Sequence, residues 1–344
     1  MRAVLRFVAQ AVLVVTTACG AAPTTTPREL PATPLHLRPV SDLAPAAGVV
    51  WLVDARPRDL LAIPEMAAHV RLLFPDDRFD AFTKRHGGVD LRQLSELEIV
   101  GYRAATLFLA RGIFDPSKVE RAFAARAKTG GRAIDRRSDP LGTIVRTWGT
   151  VNAQREQIAI FGHEAIGLEI GRFGPLRAAE FFAEEKLKKS SPALRASPLG
   201  RAAELAGEAP FRVFAPGPFE GDASRALGGL LRASTAIAVA VTILPPAKAE
   251  PGDEPSARLA IRLVLLGDWK EDSVAASSRL AAAIHTLSES ALGRLMGLDH
   301  PSAEPRVTLI ADDALGAELT LSALDVVRGL QMATGAGAED VLLY

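Results

Sequence analysis

The sequence predicts an α+β protein: antiparallel sheets with helices packed on one face, arranged as two related β-α subdomains. Three observations predict it. Short apolar runs of period two alternate with helical stretches through residues 44–344. Three successive strand segments, 143–147, 157–161 and 165–170, read as a meander. The third observation is an internal echo. Residues 106–123 read strand, Arg111-Gly112, aromatic, acid, helix; residues 261–280 read strand, Leu266-Gly267, Trp269, acids, helix. A duplicated unit produces such an echo, and so does chance similarity of two strand-turn-helix segments.

The elements follow in order. Val49-Val50-Trp51-Leu52-Val53 is a buried strand, and residues 58–73 a helix interrupted by Pro64. A helix over 79–85 stops at His86-Gly87-Gly88, where glycine accepts a left-handed conformation. Asp90 to Leu94 forms one helical turn, and strands cover 98–103 and 106–110. Asp115 caps a helix with Pro116 at its first position, where the missing N–H costs nothing. After the meander, a helix over 176–190 carries Glu184/Lys188 and Glu185/Lys189 at the favourable four-residue spacing. Helix 198–206, strand 211–214 and a short helix over 225–231 come next.

Ile237, Val239, Val241 and Ile243 then alternate with Ala236, Ala238, Ala240 and Thr242, so large residues face one side and small ones the other, where something packs close. Leu259, Ile261, Leu263 and Leu265 supply the hairpin partner, across a Pro-rich mobile loop at 245–256. A long helix over 271–296 places Leu280, Ile284, Leu287, Ala291 and Leu295 on one face. A hairpin joins 306–310 to 318–321 through Asp312-Asp313. Ser322 to Asp325 then resembles a capping box for the last helix, and residues 341–344 read as a final strand.

The leader says where the protein lives. Arg2 and Arg6 precede an apolar run from Phe7 to Val15 and then small residues, the pattern of a secretory signal over 1–18. The run is about half the roughly 20 residues of a membrane-spanning helix. Thr17-Ala18-Cys19 resembles the cleavage motif of bacterial lipoproteins, with Thr16 where leucine is usual. Cys19 is therefore the candidate lipidation site; an ordinary signal cut near Ala18 or Ala21, with Cys19 incidental, is the alternative. Gly20 after the cysteine lacks the acidic inner-membrane retention signal, which favours an outer-membrane anchor. A Pro/Thr-rich tether over 19–43 leads to subdomains at 44–172 and 173–344.

Composition narrows the chemistry. Lys+Arg and Asp+Glu both number 40, a balance that argues against a nucleic-acid binder. With one cysteine there is no intramolecular disulfide and no structural zinc set. The six histidines fall at no metal-ligand spacing, and Gly162-His163-Glu164 lacks a second histidine. Gly335-Ala336-Gly337 lacks the third glycine of a dinucleotide fingerprint, and neither a phosphate loop nor a Gly-x-Ser-x-Gly elbow occurs. Asp299-His300, Asp76-Asp77 and Asp312-Asp313 read as helix ends and turns. Of Phe181-Phe182, one enters the core and the other faces outward. No catalytic, cofactor-binding or metal-ligating set is expected.

The run Val89-Asp90-Leu91 into Val100-Gly101, then Arg111-Gly112-Ile113-Phe114-Asp115 and Lys118-Val119, resembles a family of uncharacterised exported bacterial lipoproteins. The resemblance implies repeated antiparallel β-α units on an envelope tether, with no activity to transfer. The expected function is a non-catalytic cell-envelope lipoprotein that binds a protein or ligand, its partners being the membrane, through the anchor, and an envelope protein. The alternative is a carrier of lipid or another hydrophobic ligand, lined by strand 236–242 and the long helix; an enzyme is the third reading.

Overall fold

A computed structural model of the chain describes residues 37–127, 135–138, 144–151, 154–172, 174–187, 189–245, 257–269 and 272–334. Cys19, most of the tether, the hairpin tip at 246–256, Gly335-Ala336-Gly337 and the expected strand at 341–344 lie outside these residues. The described strands are β1 (Val49–Ala55), β2 (Glu96–Tyr102), β3 (Ala105–Arg111), β4 (Asp135–Ser138), β5 (Ile144–Val151), β6 (Gln154–Phe161), β7 (Ala165–Gly171), β8 (Phe211–Pro216), β9 (Ser234–Leu244), β10 (Arg258–Gly267), β11 (Ala303–Ala311) and β12 (Ala314–Ser322). The helices are α1 (Pro57–Leu61), α2 (Pro64–Leu73), α3 (Asp76–Arg85), α4 (Pro116–Arg126), α5 (Pro175–Ala183), α6 (Leu199–Ala206), α7 (Ser273–Glu289), α8 (Ala291–Leu295) and α9 (Ala323–Thr334). The class is α+β, as the alternating periodicity implies.

These elements form two compact units. The first holds residues 37–58 and 76–194; the second holds Asp59–Pro75 and residues 195–334. The division falls after residue 194 instead of residue 172, because α5 packs on β3, β6 and β7 and so belongs with the first unit.

In the first unit the strand order is β1-β2-β3-β7-β6-β5-β4, every neighbour antiparallel. One face carries Ala110, Ile158 and Ile160 against Val119 and Phe123 of α4. Asp115 caps that helix as expected, accepting hydrogen bonds from the backbone N–H groups of Ser117 and Lys118. The other face carries Leu107, Leu109 and Phe161, closed by Leu176 and Ala179 of α5, all less than 2% exposed. Gly167 stands under Leu176, whose Cδ1 would lie 2.4 Å from any Cβ added there.

In the second unit the order is β8-β9-β10-β12-β11, again antiparallel throughout. The large residues of β9 and β10 (Ile237, Val239, Leu263, Leu265) pack with Ala276, Leu280 and Ile284 of α7. The alternate positions Ala236, Ala238 and Ala240 are buried on the opposite face, where α6 lies across β8, β9 and β10. Small side chains on β9 are what let that helix backbone approach.

The two units share part of their topology. Three antiparallel neighbours, β1-β2-β3 or β8-β9-β10, lead to a helix; the last strand of a second group, four strands in the first unit and two in the second, pairs with the third, and a helix follows. The register agrees as well. Arg111 pairs with Ala165 where Leu266 pairs with Ala314. The next glycine in each, Gly112 or Gly267, donates its N–H to the carbonyl of Glu164 or Asp313. Two residues further on, Phe114 and Trp269 are both buried. The paired strands read Ala165-Ile166-Gly167-Leu168-Glu169-Ile170 and Ala314-Leu315-Gly316-Ala317-Glu318-Leu319. The likeness between the two segments thus extends from their sequence to the register of the strands that pair with them.

Four expectations are corrected. The helix over 176–190 ends at Ala183, because Glu185 turns left-handed (φ 57°) and the N–H of Lys186 bonds back to the Phe181 carbonyl. Glu185 then meets Arg38 at 3.2 Å and Glu184 meets Lys186 at 2.8 Å, while Lys188 of the expected Glu184/Lys188 pair lies outside the described residues. The helix over 225–231 is instead two 3-10 turns, Gly221–Arg225 and Leu227–Arg232, broken by left-handed Leu227, Gly228 and Gly229. The long helix over 271–296 breaks at Ser290, whose hydroxyl accepts from the N–H of Gly293 and so caps a fresh helix, α8. Residues 40–43, assigned to the tether, are folded: Val40 and Leu43 are each 1% exposed.

Candidate functional site

The polar residues singled out by sequence are dispersed. Asp76 and Asp77 open α3, and Asp76 and Asp80 flank Arg92 at 3.5 and 2.6 Å beside Asp90 at 2.9 Å. Asp312 and Asp313 form the β11–β12 turn, with Asp313 2.6 Å from Arg201. His300 is 91% exposed and 3.6 Å from Asp299, a surface pair. Phe182 is buried, and Phe181 lies half-buried beneath the Arg177 guanidinium at 4.6 Å. Among the described residues no group of three His, Cys, Asp or Glu is placed to hold a metal ion.

Several buried ionisable groups that periodicity could not reveal lie in the first unit, among them Glu169, Glu180 and Glu156. Glu169 on β7, fully buried, accepts from the N–H groups of Gly174 and Leu176 and from Gln157 Nε2. It thereby satisfies orphan donors at the start of α5. Burial pushes its carboxyl up, and those hydrogen bonds pull it back. Glu180 sits 3.4 Å from Arg146 and 3.3 Å from Arg177; burial raises its carboxyl and lowers the Arg146 guanidinium.

Arg126 spans from α4 to the end of α3, donating to the Arg85 carbonyl at 3.1 Å and to His86 Nδ1 at 2.8 Å. Because a guanidinium only donates, Nδ1 must accept, which fixes His86 neutral with its proton on Nε2. Burial first, then Arg126 and Arg85, holds the His86 pKa well below its ordinary value. Burial also lowers Arg126 to about 10 and raises neighbouring Glu156 to about 7. Arg111, from the Arg-Gly-Ile-Phe motif, pairs with Glu96 at 3.1 Å and donates to the carbonyls of Leu37 and Arg38. Glu96 accepts from the N–H of Val40 at 2.7 Å. This pair clamps the chain where it enters the first unit, which is why residues 40–43 are folded.

Three residues of the lining expected for a lipid pocket are fully buried. Ala236, Ala238 and Leu280 are each 0% exposed and packed within the core of the second unit.

An open depression of about 570 Å³ lies instead on the β8–β9 connection of that unit, lined by Gly221, Ser224, Arg225, Gly229, Arg232 and Arg279. Leu230 and Leu231 anchor the turns to the core below, against α7. Gly228 lies against the Arg279 stem, where an added Cβ would stand 3.1 Å from Cγ. Ser224 Oγ donates to the Gly221 carbonyl at 2.7 Å. Among the described residues Arg225 pairs only with Asp222, 3.8 Å away with both side chains more than 80% exposed, a pairing that contributes little. Arg232 is exposed and has no hydrogen bond or ion pair among the described residues. Arg225, Arg232 and Arg279 thus line one concavity, with the Asp222 carboxylate beside Arg225. The chain between β1 and β2 is built otherwise, through α1, α2 and α3. No protein-family model, curated protein or solved structure matches the chain.

Proposed function

We propose that this protein is an exported, non-catalytic binding lipoprotein of the bacterial cell envelope, held at the outer membrane through Cys19. The leader and the Pro/Thr-rich stretch after Cys19 support the anchor and tether. The observation that carries binding over catalysis is how the polar groups are used. The buried carboxylates Glu169 and Glu180 and the imidazole of His86 are occupied in capping and pairing, while the accessible concavity offers guanidinium groups and one hydroxyl already bonded to Gly221. The burial of Ala236, Ala238 and Leu280 gives the hydrophobic carrier less support. Fractionation of cells expressing wild type or Cys19→Ala tests the anchor. The wild type should sediment with membranes and the variant should be released in soluble form. Equal membrane association of both would defeat the proposal.

A further inference from the structure

We infer that the arginine-lined depression of the second unit is a recognition site for a phosphoryl group. This deepens the binding-module reading by naming what is bound. Guanidinium forks match phosphate oxygens in pairs, and arginine is the residue of choice where such planar recognition is required. One arginine suffices for a carboxylate. Arg225 and Arg232, with Arg279 lining the same concavity, suit an anion with several equivalent oxygens.

Two further features support the site. Arg225 is held only loosely by Asp222, and Arg232 has no partner among the described residues, so two of the guanidinium groups present donors to solvent. The turns carrying them are rooted by buried Leu230 and Leu231, which fixes the arginines on a supported surface. At about 570 Å³ the depression exceeds a bare phosphate ion, and the phosphoryl group belongs to a larger molecule: a membrane lipid headgroup or a soluble phosphorylated compound.

The test uses the full chain carrying Cys19→Ala, so that attachment through the anchor cannot register as binding. Inorganic phosphate is titrated by calorimetry, and co-sedimentation is measured with phosphatidylglycerol vesicles and with phosphatidylcholine vesicles. Arg225→Gln/Arg232→Gln is the comparison protein, its folding verified by an unchanged Tm. The expected result is saturable binding of at least one phosphate source, weakened about tenfold or more in the double variant and reduced by added salt. Binding to phosphatidylglycerol vesicles beyond that to phosphatidylcholine identifies a lipid headgroup as the source; phosphate binding without vesicle binding identifies a soluble one. No binding of either source, or equal binding by both proteins, would overturn the inference. Neither outcome bears on the anchor, which fractionation tests separately.

Discussion

Replacing Glu156 by glutamine should stabilise the first unit at neutral and alkaline pH and leave it almost unchanged in acid. Glu156 lies on β6, opposite Gly149 of β5 and Ile170 of β7, and is 3% exposed. Burial raises its carboxyl from the ordinary 4.5 to about 7, against the weaker opposing pull of Arg126 and Arg85. Between those values the folded protein keeps a proton that the unfolded chain has lost. The stabilisation is therefore complete below about pH 4.5 and is lost as pH rises through about 7. At about 1.4 kcal/mol for each tenfold change in proton affinity, the loss is about 3 kcal/mol. Glutamine has the shape of the protonated carboxyl and does not titrate. Urea denaturation at pH 4, 6 and 8, followed by Trp51 and Trp148 fluorescence in a Trp269→Phe background, confines the signal to the first unit. The variant should match wild type near pH 4 and exceed it by about 3 kcal/mol at pH 8. His86 acts in the opposite sense. Its folded pKa is depressed, so its contribution is present above about pH 6.5 and lost as pH falls, equally in both proteins. A pH-independent difference, or a variant weaker at pH 8, would show that ionised Glu156 pairs productively with Arg126 and would refute the reasoning.

Other substitutions probe the remaining devices. Glu169→Ala leaves two backbone N–H groups and Gln157 without their acceptor and should cost the first unit about 4 kcal/mol in the same assay. Glu169→Gln, which keeps one acceptor oxygen, should cost about half as much; equal losses would argue against a capping role. Arg126→Ala removes the bond to His86 Nδ1, so an NMR titration should show the imidazole taking up a proton at higher pH than in wild type. An unmoved titration would mean that burial alone sets it. Ala238→Leu forces side-chain carbons into the face covered by α6 and should lower stability by about 1–3 kcal/mol. A variant as stable as wild type would show that the helix is not held close there.

Local signals were legible in the sequence where local physics decides the outcome. The Asp115-Pro116 start, the Gly87-Gly88 stop and the alternation on β9 are each complete within a few residues, and each is found where expected. Helix ends governed by distant or competing partners were not legible. The turn at Glu185, the glycine break at 228–229 and the fresh cap at Ser290 all interrupt segments whose apolar spacing reads as continuous helix. Periodicity measures which face is apolar and is blind to where the backbone finds another hydrogen-bond partner. The arginine depression was illegible for a related reason. Arg225 and Arg232 sit in one connection, but Arg279 comes from α7, and nothing in their spacing brings the three together.

Sequence alone determined the α+β class, the strand-turn-helix echo and the neutral charge balance, because hydrophobic period, turn residues and composition are properties of contiguous chain. Only the tertiary structure decided that the echo extends to matching register in both units, since register is a relation between strands distant in sequence. It also decided what the charged residues do. Whether Arg111 clamps the incoming chain, Glu169 caps a helix or Arg232 faces solvent depends on which distant groups surround it, and burial and partnering arise only once the chain is packed.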